Sequence, residues 1–206
     1  MSNNISKSNN LNAPILLVSK SPRRSNLLHQ AGYQFEALSL ETSEITDENL
    51  NCFEQSMYLS RIKMRQFEEV HGLKYRDFGI ALTCDTMVEF QGQTLGKPES
   101  KDQALDWLVS YSENKQFVHT GCCLMRLDGS GEQKNWAETT EVYFKKITKE
   151  NAAKYLDEQK DVLDKAGAYG LQDKNFAYVE KIVGSYTNVV GLPMESLKLE
   201  LSEWSL

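Results

Sequence analysis

Four consecutive apolar residues, Ile15-Leu16-Leu17-Val18, run directly into Ser19-Lys20-Ser21-Pro22-Arg23-Arg24 and then into Leu27-Leu28. A short apolar run bounded by polar residues reads as a buried strand. Ser21 is placed as an N-cap, and Pro22 suits the first helical position, where a missing N–H costs nothing. Leu27, Leu28 and Ala31 supply an apolar face, and Gly32 is placed to end the helix. The chain therefore opens on a strand, a tight polar turn and a helix. Arg23 and Arg24 fall in the first helical turn, where the macrodipole disfavours cations. Either they are two solvated arginines, or they hold an anion at a helix N-terminus beyond a strand's carboxyl end.

Similar alternation continues downstream. "YQFEALSL" has strand composition and leads into an acidic polar loop, "ETSEITDENLN". Phe53, Met57, Ile62, Phe67 and Val70 recur near helical spacing up to Gly72. Ile80-Ala81-Leu82 begins an apolar run expected to stop at Asp85, and "TMVEFQGQTLGKP" reads as a hairpin. Ser100 is placed to cap a helix carrying Ala104, Leu105, Trp107 and Leu108. Residues 117–147 should hold two or three strands, with a turn at Asp128-Gly129-Ser130-Gly131. Thr148 opens a helix through Tyr155 and Leu156, strand-like "FAYVEKIVG" follows, and a last helix starts near Pro193. Helices and strands interleave, yet hairpins break the βαβ rhythm. The expectation is an α/β protein with a mixed sheet. No linker or repeat divides it, so residues 14–206 read as one domain behind a Ser- and Asn-rich, disordered tail at 1–13.

A chain of 206 residues can bury a substantial core. Its formal charge of −6 argues against wrapping DNA or RNA, which needs a basic surface. No apolar segment approaches a signal-peptide core or a membrane span, so the cytoplasm is the expected compartment. Cys52, Cys84, Cys122 and Cys123 show no CxxC spacing, and adjacent Cys122 and Cys123 would face opposite sides of a strand. Buried, reduced thiols are expected. His29, His71 and His119 are isolated, and no histidine-based metal site is expected.

Three polar clusters follow apolar runs: Lys20 to Arg24, Asp85-Thr86, and Lys165 to Gln172. The cations Arg23, Arg24, Lys63, Lys97 and Lys165 accompany the carboxylates Glu41, Glu44, Asp47, Asp85 and Asp164. There is no P-loop and no GxGxxG, and the Gly-rich "DGSG" reads as a hairpin turn. Cations and carboxylates without a nucleophile–histidine pair suit phosphate chemistry with a hard cation such as Mg²⁺. Metal and cations would neutralise the transferring group while a carboxylate activates water. Asp85 leads the candidates, because a charge closing an apolar run is costly without work or a partner. The alternative for Asp85 is a capping or salt-bridged aspartate. Alone, Glu44 reads as a solvated loop residue and Lys63 as a snorkelling helix lysine.

Together these pieces resemble a known family. "SKSPRRSNLL", Glu44, helical Lys63, "CDTMVEFQGQTLGKP", "HTG", "ETT" and "LDKAGAYGLQ…GSYTNVVGLP" are similar, in order, to the Maf family of nucleoside triphosphate pyrophosphatases. The resemblance implies a mixed twisted sheet flanked by helices, in two lobes around a nucleotide cleft, usually as a homodimer. It implies hydrolysis of a nucleoside triphosphate to the monophosphate and pyrophosphate with Mg²⁺ or Mn²⁺. Asp85 then corresponds to the general base and Glu44 to a second acidic residue, the two also serving the metal. Lys63 and Lys97 match phosphate-binding lysines, and Ser19, Arg23 and Arg24 lie in the nucleotide-binding loop. Arg23, Thr86 and Gln172 agree with the branch acting on dTTP and UTP, which extends to modified pyrimidine nucleotides. Thr83-Cys84 stands where the family usually has Gly-Ala, and Met64 where Ala is common. The rival readings are the same reaction on another nucleotide such as 7-methyl-GTP, and a nucleotide-binding regulator of division and septum formation. An aspartyl-phosphate phosphatase would want a second Asp two residues after Asp85, where Met87 stands.

Overall fold

The computed structural model describes residues 14–41 and 46–204, so the tail at 1–13 and Glu44 lie outside the described residues. Strand β1 (Ile15–Val18) is buried throughout, as its unbroken apolar run requires. It lies between two parallel neighbours, β2 (Phe35–Leu38) and β3 (Ile80–Phe90). Helix α1 (Pro22–Gln30) connects β1 to β2, and α2 (Cys52–His71) precedes β3. Ser21 occupies the N-cap position of α1, yet its side chain caps nothing; its N–H instead donates to Ser19 Oγ. Gly32, at φ +77°, follows the helix in the left-handed conformation that ends it.

The second half is built from hairpins. β4 (Gln93–Leu95) folds back on β3, and α3 (Lys101–Ser110) starts where Ser100 accepts from the Gln103 N–H. β5 (Lys115–Arg126) and β6 (Gln133–Phe144) form one long hairpin, followed by α4 (Lys149–Glu158) behind a Thr148–Asn151 capping box. Then come β7 (Val179–Val183), α5 (Tyr186–Val190) and α6 (Met194–Glu203). The sheet has seven strands in the order β2-β1-β3-β5-β6-β7, with β4 added on β3. Only the β1 pairings are parallel. The mixed α/β sheet expected from the interrupted rhythm is the one observed.

Period-two alternation along β3 sorts the core. Ala81, Thr83 and Asp85 meet α2: Ala81 packs with Met64 and Phe67, Thr83 donates to the Ser60 carbonyl, and Asp85 meets Lys63. Leu82 and Cys84 pack with Leu27, Leu28, Val190 and Leu197 on the opposite face. Further along that face Val88 and Phe90 join Leu108, Tyr111, Phe144 and Tyr155 in a separate cluster under α3 and α4. Cys122 and Cys123 do part to opposite faces, and all four cysteines are free and buried.

The run from Ile80 does not stop at Asp85, as the sequence suggested; β3 continues to Phe90, paired with β5 as far as Glu89–Phe117. What stops there is the partner on the other side. β1 pairs with Ile80–Leu82 and β4 with Val88–Phe90, while β5 occupies the opposite edge throughout. Residues 83–87 therefore lack a partner on one edge, which forms a notch in the middle of the sheet.

Helix α2 crosses β5 at Gly121, where an added Cβ would lie 2.1 Å from the Ser56 carbonyl oxygen. That atom is helix backbone and cannot rotate away. Gly121→Ala is expected to push α2 off the sheet and destabilise the fold by about 1–3 kcal/mol. Urea unfolding would read this, and an unchanged midpoint would contradict the close approach.

Candidate active site

A cavity of about 1080 Å³ opens at the notch, between the Tyr111–Phe144 cluster and the Leu28–Leu197 cluster. Its walls include Ser19, Arg23 and Arg24 from the β1–α1 turn, and Asp85 and Thr86 from β3. Lys63 of α2, Lys97 after β4, and Lys165 and Gln172 from the segment before β7 complete it. Every described residue given a role at the site by the family resemblance thus lines one cavity, whereas Glu41 and Asp47 of the acidic inventory do not.

Asp85 is 7% exposed, and its Oδ1 lies 2.5 Å from Lys63 Nζ. The salt-bridged aspartate weighed as an alternative is present, and it sits on the cavity wall. A buried carboxylate facing one cation is held in place by desolvation that would be costly if the partner were lost. Among the described residues only Oδ1 is hydrogen-bonded, and Asp85 forms part of the cavity wall.

Arg24 turns inward. Nε donates to the Gly191 carbonyl at 2.8 Å, Nη1 to Ser19 Oγ at 3.1 Å and Nη2 to Thr86 Oγ1 at 3.0 Å. One planar guanidinium thereby ties the β1–α1 turn, the notch of β3 and the end of α5. Gly191 allows this, since its φ of +119° closes α5 and turns the carbonyl to the arginine. Ser19 Oγ accepts from both Arg24 and the Ser21 N–H, which leaves its own proton for the cavity. Thr120 spends its proton on the Asn188 carbonyl, so the 3.0 Å contact between the two threonines is a donation from Thr86. Arg23, on the next helical position, lines the cavity near Asp161.

The far wall carries a second charge network. Lys165, 5% exposed, donates to Asp161 at 2.9 Å and to both oxygens of Asp173 at 2.8 Å. Tyr155 adds its hydroxyl to Asp173 at 2.5 Å. The hydrogen bond from Lys165 holds the Asp161 carboxyl below its usual range. Lys97 is different in kind: it is two-thirds exposed at the rim, 3.9 Å from Asp164. Gln172 is exposed on the same wall.

The Maf-like protein family pattern matches residues 14–204. The chain belongs to the Maf family. A dTTP/UTP pyrophosphatase of Carboxydothermus hydrogenoformans is 40% identical over 92% of this chain and 98% of its own. One from Bdellovibrio bacteriovorus is 35% identical over the same shares, and one from Colwellia psychrerythraea 35% identical over 94% and 90%. Among solved structures, a HAM1 protein from Coxiella burnetii is 12% identical at a TM-score of 0.47, over 93% of this chain and 99% of its own. Enzymes of the Maf family generally depend on a divalent metal. No helix among the described residues is long and apolar enough to cross a membrane.

Asp161 and Asp173 were not singled out in the sequence, although the i,i+4 spacing of Asp161 and Lys165 is a readable signal. The inward role of Arg24 had no local signal, because its partners lie 62 and 167 positions away. Arg24→Lys keeps the charge but cannot span three acceptors. It should lose about 1.5–3 kcal/mol of stability in ligand-free thermal or urea unfolding. Unchanged stability would show that the guanidinium does not hold these three elements together.

Proposed function

We propose that this Maf protein hydrolyses UTP and dTTP, and modified pyrimidine triphosphates, to the nucleoside monophosphate and pyrophosphate. The observation that carries the reading is the carboxylate of Asp85, held by Lys63 in a sheet notch whose cavity is also lined by Ser19, Arg23 and Lys97. A triphosphate brings about four negative charges, and cations on the cavity wall offset them. Ser19 contributes an O–H donor and α1 an N-terminus without a side-chain cap, both suited to a phosphate oxygen.

In this reading the water oxygen bonds to the α-phosphorus while the bond from that phosphorus to the α–β bridging oxygen breaks. Asp85 Oδ2 takes the water's proton, and Lys63 fixes the carboxylate from the other side. Lys97, on its exposed stem, follows the departing pyrophosphate. The oxygen donor at Asp85 fits Mg²⁺ or Mn²⁺, with Glu44 proposed as its companion ligand; when bound, the ion offsets charge on the reacting phosphoryl group. Arg24 acts through Ser19 and Thr86, which it positions, while Arg23 and Gln172 contact the nucleotide. The working form is proposed to be a cytoplasmic homodimer.

A nucleotide panel with Mg²⁺ or Mn²⁺, scoring pyrophosphate apart from orthophosphate, tests the reaction. UMP and pyrophosphate are expected, with activity lost in chelator and restored by metal; stepwise orthophosphate through UDP would overturn it. Nucleotide binding without any product would favour the regulator. Asp85→Asn keeps the shape without the base and should cost about 10²–10⁴-fold in kcat, with substrate binding much less affected. Turnover within a few-fold of wild type would make Asp85 structural.

Base choice is proposed to run through Gln172. A uracil or thymine edge offers an N–H between two carbonyls, and a glutamine amide can accept from the one while donating to another. Gln172→Glu can only accept, so kcat/KM should fall more for UTP and dTTP than for guanine nucleotides. An equal loss on every base would show that Gln172 does not read it.

A further inference from the structure

Beside the cleft, where Cys52 neighbours the cavity-lining Thr94, three side chains of metal-ligating type meet at the start of α2. Glu89 follows Asp85 by four residues on the same face of β3, about 13 Å along the strand. His119 lies on β5, where it pairs with Met87, and Cys52 is the first residue of α2. One ligand atom from each lies within 4.8 Å of the other two. Ligands around one tetrahedral zinc-class ion stand roughly 3.3–3.8 Å apart. His119 Nε2 and Glu89 Oε2, at 3.3 Å, already have that spacing.

The histidine is the independent sign of a ligand. His119 is 5% exposed, and its buried Nε2 has no neighbouring polar group closer than Glu89 Oε2, at 3.3 Å, among the described residues. Its Nδ1 lies 2.9 Å from Thr139 Oγ1. An Nδ1–H donated to Thr139 leaves the Nε2 lone pair aimed at Glu89 and Cys52, the tautomer a metal ligand needs. The Phe53 ring meets His119 edge-on and Phe117 stacks on it, giving the site a largely apolar shell. Entry is past Glu89, whose side chain is 29% exposed.

A simple His–Glu ion pair explains the cluster less well. It leaves unexplained why the Cys52 sulfur lies within 4.8 Å of both groups. We propose that Cys52, Glu89 and His119 bind one zinc-class dication that pins the start of α2 to β3 and β5. Binding releases the Cys52 proton to solvent, and the thiolate and the Glu89 carboxylate then balance the two charges of the ion. Sulfur and imidazole donors select such an ion over Mg²⁺, so this site is separate in chemistry from the nucleotide cleft. The reciprocal Asn51–Glu54 hydrogen bonds fix the helix start and hold Cys52 in place.

Metal-free, reduced full-length protein titrated with Co²⁺ tests the proposal. The expected result is a near-ultraviolet thiolate-to-cobalt charge-transfer band saturating at one ion, with one proton released and the melting temperature raised. Cys52→Ser should abolish the band and the thermal shift. Thr139→Val should weaken Co²⁺ binding by about 10–100-fold, as loss of an orienting partner does. Asp85→Asn should leave the band intact. No band in the wild type would overturn the site. So would a band that survives in Cys52→Ser, since it would come from Cys84, Cys122 or Cys123. Loss of the band in Asp85→Asn would overturn its separation from the cleft.

Discussion

The structure turns on an interruption of pairing along one edge of β3. A strand in the middle of a sheet ordinarily has both sets of backbone groups taken, which leaves no room for a ligand. Here β1 covers that edge up to Leu82 and β4 resumes at Val88, while β5 holds the other edge without a break. The notch is therefore rigid as well as open. Asp85 enters it from a backbone paired with Gly121, so its position is set by the sheet and not by a loop. Placing a reactive group on a strand and its charge partners on surrounding elements is how a site gains precision.

Two contacts keep that notch in register with its surroundings. On one face the absence of a side chain at Gly121 brings the α2 backbone onto the sheet, and Lys63 arrives at Asp85 as a consequence. On the other, Arg24 fastens the first turn of α1 to β3 and to Gly191. Each contact joins a backbone requirement to a charged group. A small residue where helix and strand meet thus becomes a condition for catalysis without touching substrate.

Much of the fold could be read locally. The apolar run before Ser19 and Pro22, the Ser100 and Thr148 caps, and the Asp128–Gly131 turn each depend on neighbours in sequence, and each formed as expected. The end of β3 was misread because composition shifts at Asp85 while pairing does not; Val88 and Phe90 carry the alternation onward. The site residues were legible as types, since cations and carboxylates gather after apolar runs. Their division of labour was not. Arg24 looks like a ligand for anions in sequence, and the hydrogen bonds that its guanidinium makes to β3 and to the end of α5 had no local signal. Cys52, Glu89 and His119 have no common spacing at all, since each comes from a different element.

The central claim is that Asp85 directs water at the α-phosphorus of a triphosphate seated across the notch. Hydrolysis of UTP in ¹⁸O-labelled water, with the products resolved by mass spectrometry, tests it most directly. Attack at the α-phosphorus puts the label in UMP and leaves pyrophosphate unlabelled. Label in the pyrophosphate would mean attack at the β-phosphorus and would contradict the role proposed for Asp85.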